Sequence, residues 1–448
     1  MTEQRTPDVD RVDFDRVDVD TVDFLTDTTI VDDPYPYYRH VRDTHGPVWI
    51  EPTWGVAMVT GHAEAMTVYR DPATFSSCNA ATGPFPGLPE RPAGDDADEL
   101  IERHRPQMPL YGYMATWDPP EHQAYRSLLT GLFTPKRLKE NEAFMWRLAD
   151  QELDRFLDHG RCEFIREYSS PFALLVIADL LGVPHEDLPR FRQWFRQTAG
   201  RGFGGLDEDS LEQRRGEVEE VNILGFFEAA FSAYIEDRRT TPRGDVLTHL
   251  AGVTFPDGSV PDTTVLANEA AFLFAAGQET TARSMAFAMQ RIAEDDALQA
   301  TLRARHDLLP ALTEEVLRLE SPVKSHFRMA RRTTTLAGVT IPAGTSVMLM
   351  IGAVNRDPLV YEAPDEIRLD RPNLYEHIAF VKGPHSCLGQ QLARAEMRVS
   401  FERILDRMSD IHLDEARHGP EGDRRFAHDP SSLFRGLSRL HVEFTPVP

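Results

Sequence analysis

From Thr263 to Asp295 the chain runs without a proline and with a single glycine, Gly277. The stretch reads as one helix of about 30 residues, roughly 45 Å long. Its middle, AAFLFAA at 270–276, is apolar nearly all round, which in a globular chain places the helix inside the core. That run is far short of the roughly 20 apolar residues that would cross a bilayer. A second buried helix follows Cys387, where Met397, Phe401, Ile404, Leu405 and Met408 keep helical spacing. Elsewhere, 46–60 reads as two short strands, 61–77 as a helix ending at a proline, and 118–250 as mostly helical. The region 326–351 is strand-like, with turns at Ala337-Gly338 and Pro342-Ala343-Gly344. Two stretches interrupt this order: a Pro- and Gly-rich segment at 78–116, too long for an ordinary connection and expected to be a functional or mobile loop, and GRGFGGLDEDS at 200–210, a hinge or a solvent loop.

Composition narrows the function classes. A net charge of −24 excludes nucleic acid or an anionic membrane as a main partner. Residues 1–33 hold eleven acids against three arginines and are expected to form an acidic, disordered tail, with a single domain over 34–448. No basic, apolar leader precedes this tail, so a soluble, cytoplasmic protein is expected. Cys78, Cys162 and Cys387 are odd in number and widely spaced, which argues against a disulfide framework and against a four-thiolate metal site.

One cysteine lies in FVKGPHSCLG, 380–389, where Gly383, Pro384 and Gly389 break regular structure just before a helix. Backbone N–H groups at a helix start favour a thiolate, a strong donor to a soft metal. Alone, such a cysteine reads rather as a buried, inert thiol. The other motifs carry weight together. AAGQETT places Gly277, Glu279, Thr280 and Thr281 directly after an apolar turn, where an acid–alcohol pair is costly without partners or a task. Glu315 and Arg318 lie three apart on one helical face and can pair.

In this combination the sequence, from about residue 34 onward, resembles the haem-thiolate monooxygenases, the cytochrome P-450 family. Phe380, Gly383, His385, Cys387 and Gly389 match the haem-binding loop, Ala276–Thr281 the oxygen-activating turn, and Glu315-Val316-Leu317-Arg318 the Glu-x-x-Arg motif. DPPEHQAYR at 118–126 with FTP at 133–135, NRDP at 355–358 and PDEIRLDR at 364–371 follow the family's order. One position departs: Val381 stands where the family usually has glycine, and since a β-branched residue resists positive φ, a slightly different backbone is expected there.

The resemblance implies a mainly α fold with a smaller β part, haem b lying between the central helix and the cysteine-proximal helix. It implies Cys387 as axial thiolate, pushing electron density onto the iron. Phe380 would shield the sulfur, and Gly389 would let the next helix pack close. His122, Arg126, Arg328 and His385 would meet the haem propionates, with His377 a weaker candidate. Thr280 would act in oxygen activation with Glu279 relaying protons, and Gly277 would open the helix for O₂. Glu315, Arg318 and Arg371 match a structural triad.

The implied activity is insertion of one oxygen atom from O₂ into an apolar small molecule such as a terpenoid, steroid or lipid, by a monomer. With no dinucleotide fingerprint in the chain, electrons would come from a ferredoxin and its NAD(P)H-dependent reductase, docking near Lys382, Arg394 and Arg398. The alternatives are an H₂O₂-driven peroxygenase, which would need no Glu279–Thr280 relay, and a non-catalytic haem sensor. An apolar pocket is expected from Phe85, Leu110, Tyr111, Met114, Phe272, Phe327, Leu433 and Phe434, with Ala275 and Val323 close by and His326 as a possible polar contact.

Overall fold

The computed structural model describes residues 21–85, 87–198, 224–431 and 433–447, with backbone alone at 194–198. The glycine-rich break at 200–210 and residues 1–20 of the tail lie outside these. The proline-free stretch forms one helix, Thr263–Glu294, of 32 residues, hereafter the central helix. Against it pack Ser170–Leu181 and Gly225–Thr240, and the aromatic ring of Phe274 is enclosed by Phe191 at 5.1 Å and Phe227 at 4.7 Å. The proximal helix, Gln390–Arg407, lies on Pro135–Leu153 and beside Leu309–Leu319. No helix among the described residues is long and apolar enough to cross a membrane.

The β part is small. Its strands are β1 (Val48–Ile50), β2 (Ala57–Val59), β3 (Phe75–Ser76), β4 (Arg161–Glu163), β5 (Ser325–Ala330), β6 (Thr334–Leu336), β7 (Val339–Ile341), β8 (Ser346–Met350), β9 (Met408–Leu413) and β10 (His441–Pro446). The main sheet has the order β1-β2-β8-β5-β3, with β2 and β8 parallel and Met58 opposite Met348. In β5, Phe327 pairs with Met348 and Arg328 with Val347, and β5 itself lies between β8 and β3. The β6–β7 hairpin turns at Ala337 (φ 47°) and Gly338 (φ 83°), as the sequence implied.

Two expectations are corrected. Residues 78–116 are not one open loop, since Asp98–His104 is helical and Leu100 and Ile101 are buried. The tail boundary at 33 falls inside packed structure. Phe24, Leu25 and Ile30 are buried, Phe24 stacks on Tyr37 at 5.6 Å, and Asp32 accepts a hydrogen bond from the backbone N–H of His428 at 3.0 Å. The physical reason is that the acids here are used locally. Asp23 accepts from Leu25 N and Thr26 Oγ1, Asp27 from Thr29 N, and these turns bring the interleaved apolar side chains onto one core.

Candidate active site

A cavity of about 310 Å³ separates the central helix from the Cys387 loop. Leu273, Ala276, Gly277 and Thr280 form one wall; Phe380, Cys387, Gly389 and Ala393 form the other. Gly277 does not break the helix. An added Cβ would come within 3.1 Å of Ile177, so its role here is close packing against the helix Ser170–Leu181, with the cavity on its open side. Thr280 donates to the Ala276 carbonyl at 2.8 Å and Ser284 to the Thr280 carbonyl at 2.9 Å, so both hydroxyls are satisfied within the helix.

The cysteine loop is shaped by two left-handed residues. Gly383 (φ 71°) needs to be glycine because a Cβ would strike the Tyr69 carbonyl. Val381 adopts φ 57°, contrary to the expectation that its branching would force another backbone. Its N–H donates to Ile378 O at 2.9 Å and its side chain packs on the sheet-side core, which offset a strain of roughly 1–3 kcal/mol. The turn then closes through Cys387 N–H to Phe380 O at 2.8 Å. Burial pushes the Cys387 thiol above its usual pKa; the N–H groups of Gly389 and Gln390 and the charges of Arg126 and Arg394 pull the other way without prevailing. The helix start alone therefore does not make the thiolate, and a cation at the sulfur would be needed to do so. A Cβ on Gly389 would meet only Cys387 Sγ and Phe133, each at 4.0 Å. Its missing side chain leaves room towards the cavity rather than towards a packed helix.

At one end of the cavity lie His122, Arg126, Arg328 and His385, contributed by the helix Glu121–Leu129, β5 and the cysteine loop. The imidazoles of His122 and His385 lie with centroids 3.8 Å apart, tilted by 38°. His385 Nε2 reaches Ser77 Oγ at 3.0 Å, but both ring nitrogens of His122 are buried without a hydrogen-bond partner among the described residues. Desolvation holds His122 down at about 4 and His385 at about 2. Neither Arg126 nor Arg328 forms an ion pair among the described residues, and burial lowers both. His326, also in the wall, meets the Tyr69 hydroxyl through Nδ1 at 2.5 Å.

Comparison with known proteins places this architecture. The profile of the Cytochrome P450 family matches residues 256–412. The substrate-free Mycobacterium marinum cytochrome P450 CYP150A6 is 50% identical with a TM-score of 0.88, covering 96% of this chain and 100% of that one. Cytochrome P450 144 of Mycobacterium tuberculosis is 31% identical over 92% of this chain and 89% of its own length. The chain belongs to the cytochrome P450 family. It is a monooxygenase of that family, whose fold carries haem b on a cysteine thiolate. A steroid C26-monooxygenase of Mycolicibacterium smegmatis is 29% identical over 91% of this chain and 92% of its own.

Several expected residues sit elsewhere in this P450. Glu279 is turned from the cavity wall towards Arg283, at 2.6 Å, which in turn holds Asp429 at 2.8 Å. His377 does not line the cavity; it is buried against Glu314. Of the apolar set, Met114 and Phe272 line the cavity, as does Val323, whereas Phe327 and Leu433 are buried in the cluster around Tyr37 and Tyr38, with Phe85 packed on it. Leu273 and Ala276, rather than Ala275, face inward. Two cations expected to be free for a redox partner are already paired: Arg394 with Glu314, and Arg398 with Glu142 at 2.6 Å. Glu396 was not anticipated. It reaches the cavity from the proximal helix, wholly buried, with Oε2 unpartnered and burial raising its pKa far above the carboxylate range. Its sequence spacing, nine residues after Cys387, was the available signal.

Proposed function

We propose that Cys387 is the axial ligand of the haem and that this P450 inserts one oxygen atom of O₂ into an apolar substrate of steroid or lipid type. The observation that carries the reading is the cavity's open chemistry. A sulfur lies on one wall, and cavity-lining cations without an ion-pair partner and unpartnered imidazole nitrogens call for an anionic group that the described residues do not supply. The residues fit a haem. Arg126, Arg328, His122 and His385 would hold its propionates, while Phe380 and Gly389 flank the sulfur. Bound there, the haem supplies O₂ activation and oxygen-atom transfer. Thr280 would then hold and pass a proton at Oγ1 after leaving the Ala276 carbonyl. Glu279, on release from Arg283, would relay protons to it.

The substrate class is supported by the wall above Gly277, with Leu273, Phe272, Met114 and Val323, and by the relative named as a steroid C26-monooxygenase. Electron supply by a ferredoxin and its reductase is supported by the chain's three separated cysteines, too few for a four-thiolate cluster of its own. The deciding measurement is the absorption spectrum of the dithionite-reduced protein under carbon monoxide. A strongly red-shifted Soret band that is lost in Cys387→Ser supports the assignment; a band at the position of a neutral ligand, or one that persists in the variant, rejects it. In Thr280→Ala, haem and substrate binding are expected to persist while NAD(P)H consumption diverts to peroxide, and unchanged coupling would refute the role of Thr280.

A further inference from the structure

Glu314 and Glu315 are neighbours on the helix Leu309–Leu319 and are both wholly buried, yet they serve different clusters. Glu314 receives Arg394 side-on, Nε to Oε1 at 2.7 Å and Nη2 to Oε2 at 2.9 Å. His377 Nε2 lies 2.9 Å from the same Oε2, and its Nδ1 accepts the Ala379 N–H at 3.2 Å, so the ring's proton is on Nε2 and donates to Glu314. Thus three groups from three parts of the chain are locked together. The guanidinium so fixed lies 4.7 Å over the Phe380 ring and 5.7 Å over Tyr375. Phe380 is the residue whose carbonyl receives the Cys387 N–H.

We infer that Glu314, with His377, is a positioning residue for the haem thiolate: it fixes the Arg394 charge over Phe380 and cancels it, thereby setting the ease of haem reduction. The inference rests on Cys387 being the ligand. Its physical basis is charge balance. Reduction adds one negative charge to the haem and its thiolate, so an uncompensated Arg394 favours it and an uncompensated Glu314 opposes it. In the intact pair the two offset each other, with Glu314 buried and Arg394 partly exposed, so that screening by salt reaches the pair only from the arginine side.

The test is a spectroelectrochemical titration of the haem-loaded protein. Glu314→Gln is expected to shift the one-electron equilibrium about tenfold towards the reduced form, ~59 mV upward, and Arg394→Gln by a similar factor downward. The double variant, neutral again, is expected to return close to the starting value. Potentials that do not move, or that move in the same direction in both single variants without recovery in the double, overturn the inference, since a merely loosened loop behaves in that way. If Glu314→Gln fails to take up haem, Arg394→Gln and the double variant still decide the sign. Failure of the starting protein to give the red-shifted carbonyl band would instead count against Cys387 itself, before any variant is compared.

Discussion

Two sets of arginines in this P450, one wholly buried and one lining the cavity, are solved in opposite ways. Arg318 and Arg371 meet Glu315, at 2.7 and 2.9 Å, and spend their remaining N–H groups on the carbonyls of Asn355, Pro364, Glu362 and Ala363. Every charge there is answered by the protein. Among the described residues Arg126 and Arg328 pair with no carboxylate, and the ring nitrogens of His122 beside them have no hydrogen-bond partner. The first set closes the fold around the Glu-x-x-Arg helix; the second is complete only with an anionic ligand. Burial alone does not distinguish structure from function, whereas the state of the counter-charges does.

This contrast can be broken experimentally. The largest effect is expected at the closed set: Glu315→Gln leaves two buried guanidiniums uncompensated and should cost about 3–5 kcal/mol in a denaturant titration, with or without haem. At the open set the effect should depend on the ligand. His122 is neutral when folded, its pKa held at about 4, whereas the unfolded chain binds a proton below about 6.5. Since the unfolded state then takes up more protons, stability of the haem-free protein falls as pH drops from 7 to 5, by roughly 2 kcal/mol from this residue. Haem-loaded protein should lose less, and equal acid sensitivity of the two forms would contradict an anion-binding role.

A smaller effect of opposite signs is expected for Arg328→Leu. Removing a desolvated, unpaired charge should raise haem-free stability by about 1 kcal/mol while haem transfer to an acceptor protein accelerates. A loss of stability without haem would place Arg328 with the closed set. The smallest effect sharpens a different boundary. Val381→Gly relieves a left-handed backbone but loses packing and gains unfolded-state freedom, so stability should change by less than about 1 kcal/mol. A larger gain would show that the valine is retained against the fold's interest.

Much of the site was legible because its residues are local in sequence. The cysteine loop, the Gly277–Thr281 turn and the His122/Arg126 pair each lie within one short segment, and periodicity placed the helices that carry them. The misplaced residues have a common cause: their partners are remote. Arg394 is neutralised by Glu314, 80 positions away, and Arg398 by Glu142, 256 positions away. Glu279 is drawn aside by Arg283, itself fixed by Asp429. Phe327 alternates correctly along β5, but alternation cannot say which face of a strand meets a cavity and which a core.

The sequence by itself determined the central helix, the shaped cysteine loop and the family's order of motifs, because periodicity, glycine placement and short-range spacing are written locally. Only the tertiary structure decided which charges are closed and which are open. Pairing across hundreds of residues depends on how the helices and the five-stranded sheet are brought together, and the cations around the cavity stand out only once the remote partners of Arg318, Arg371, Arg394 and Arg398 are known.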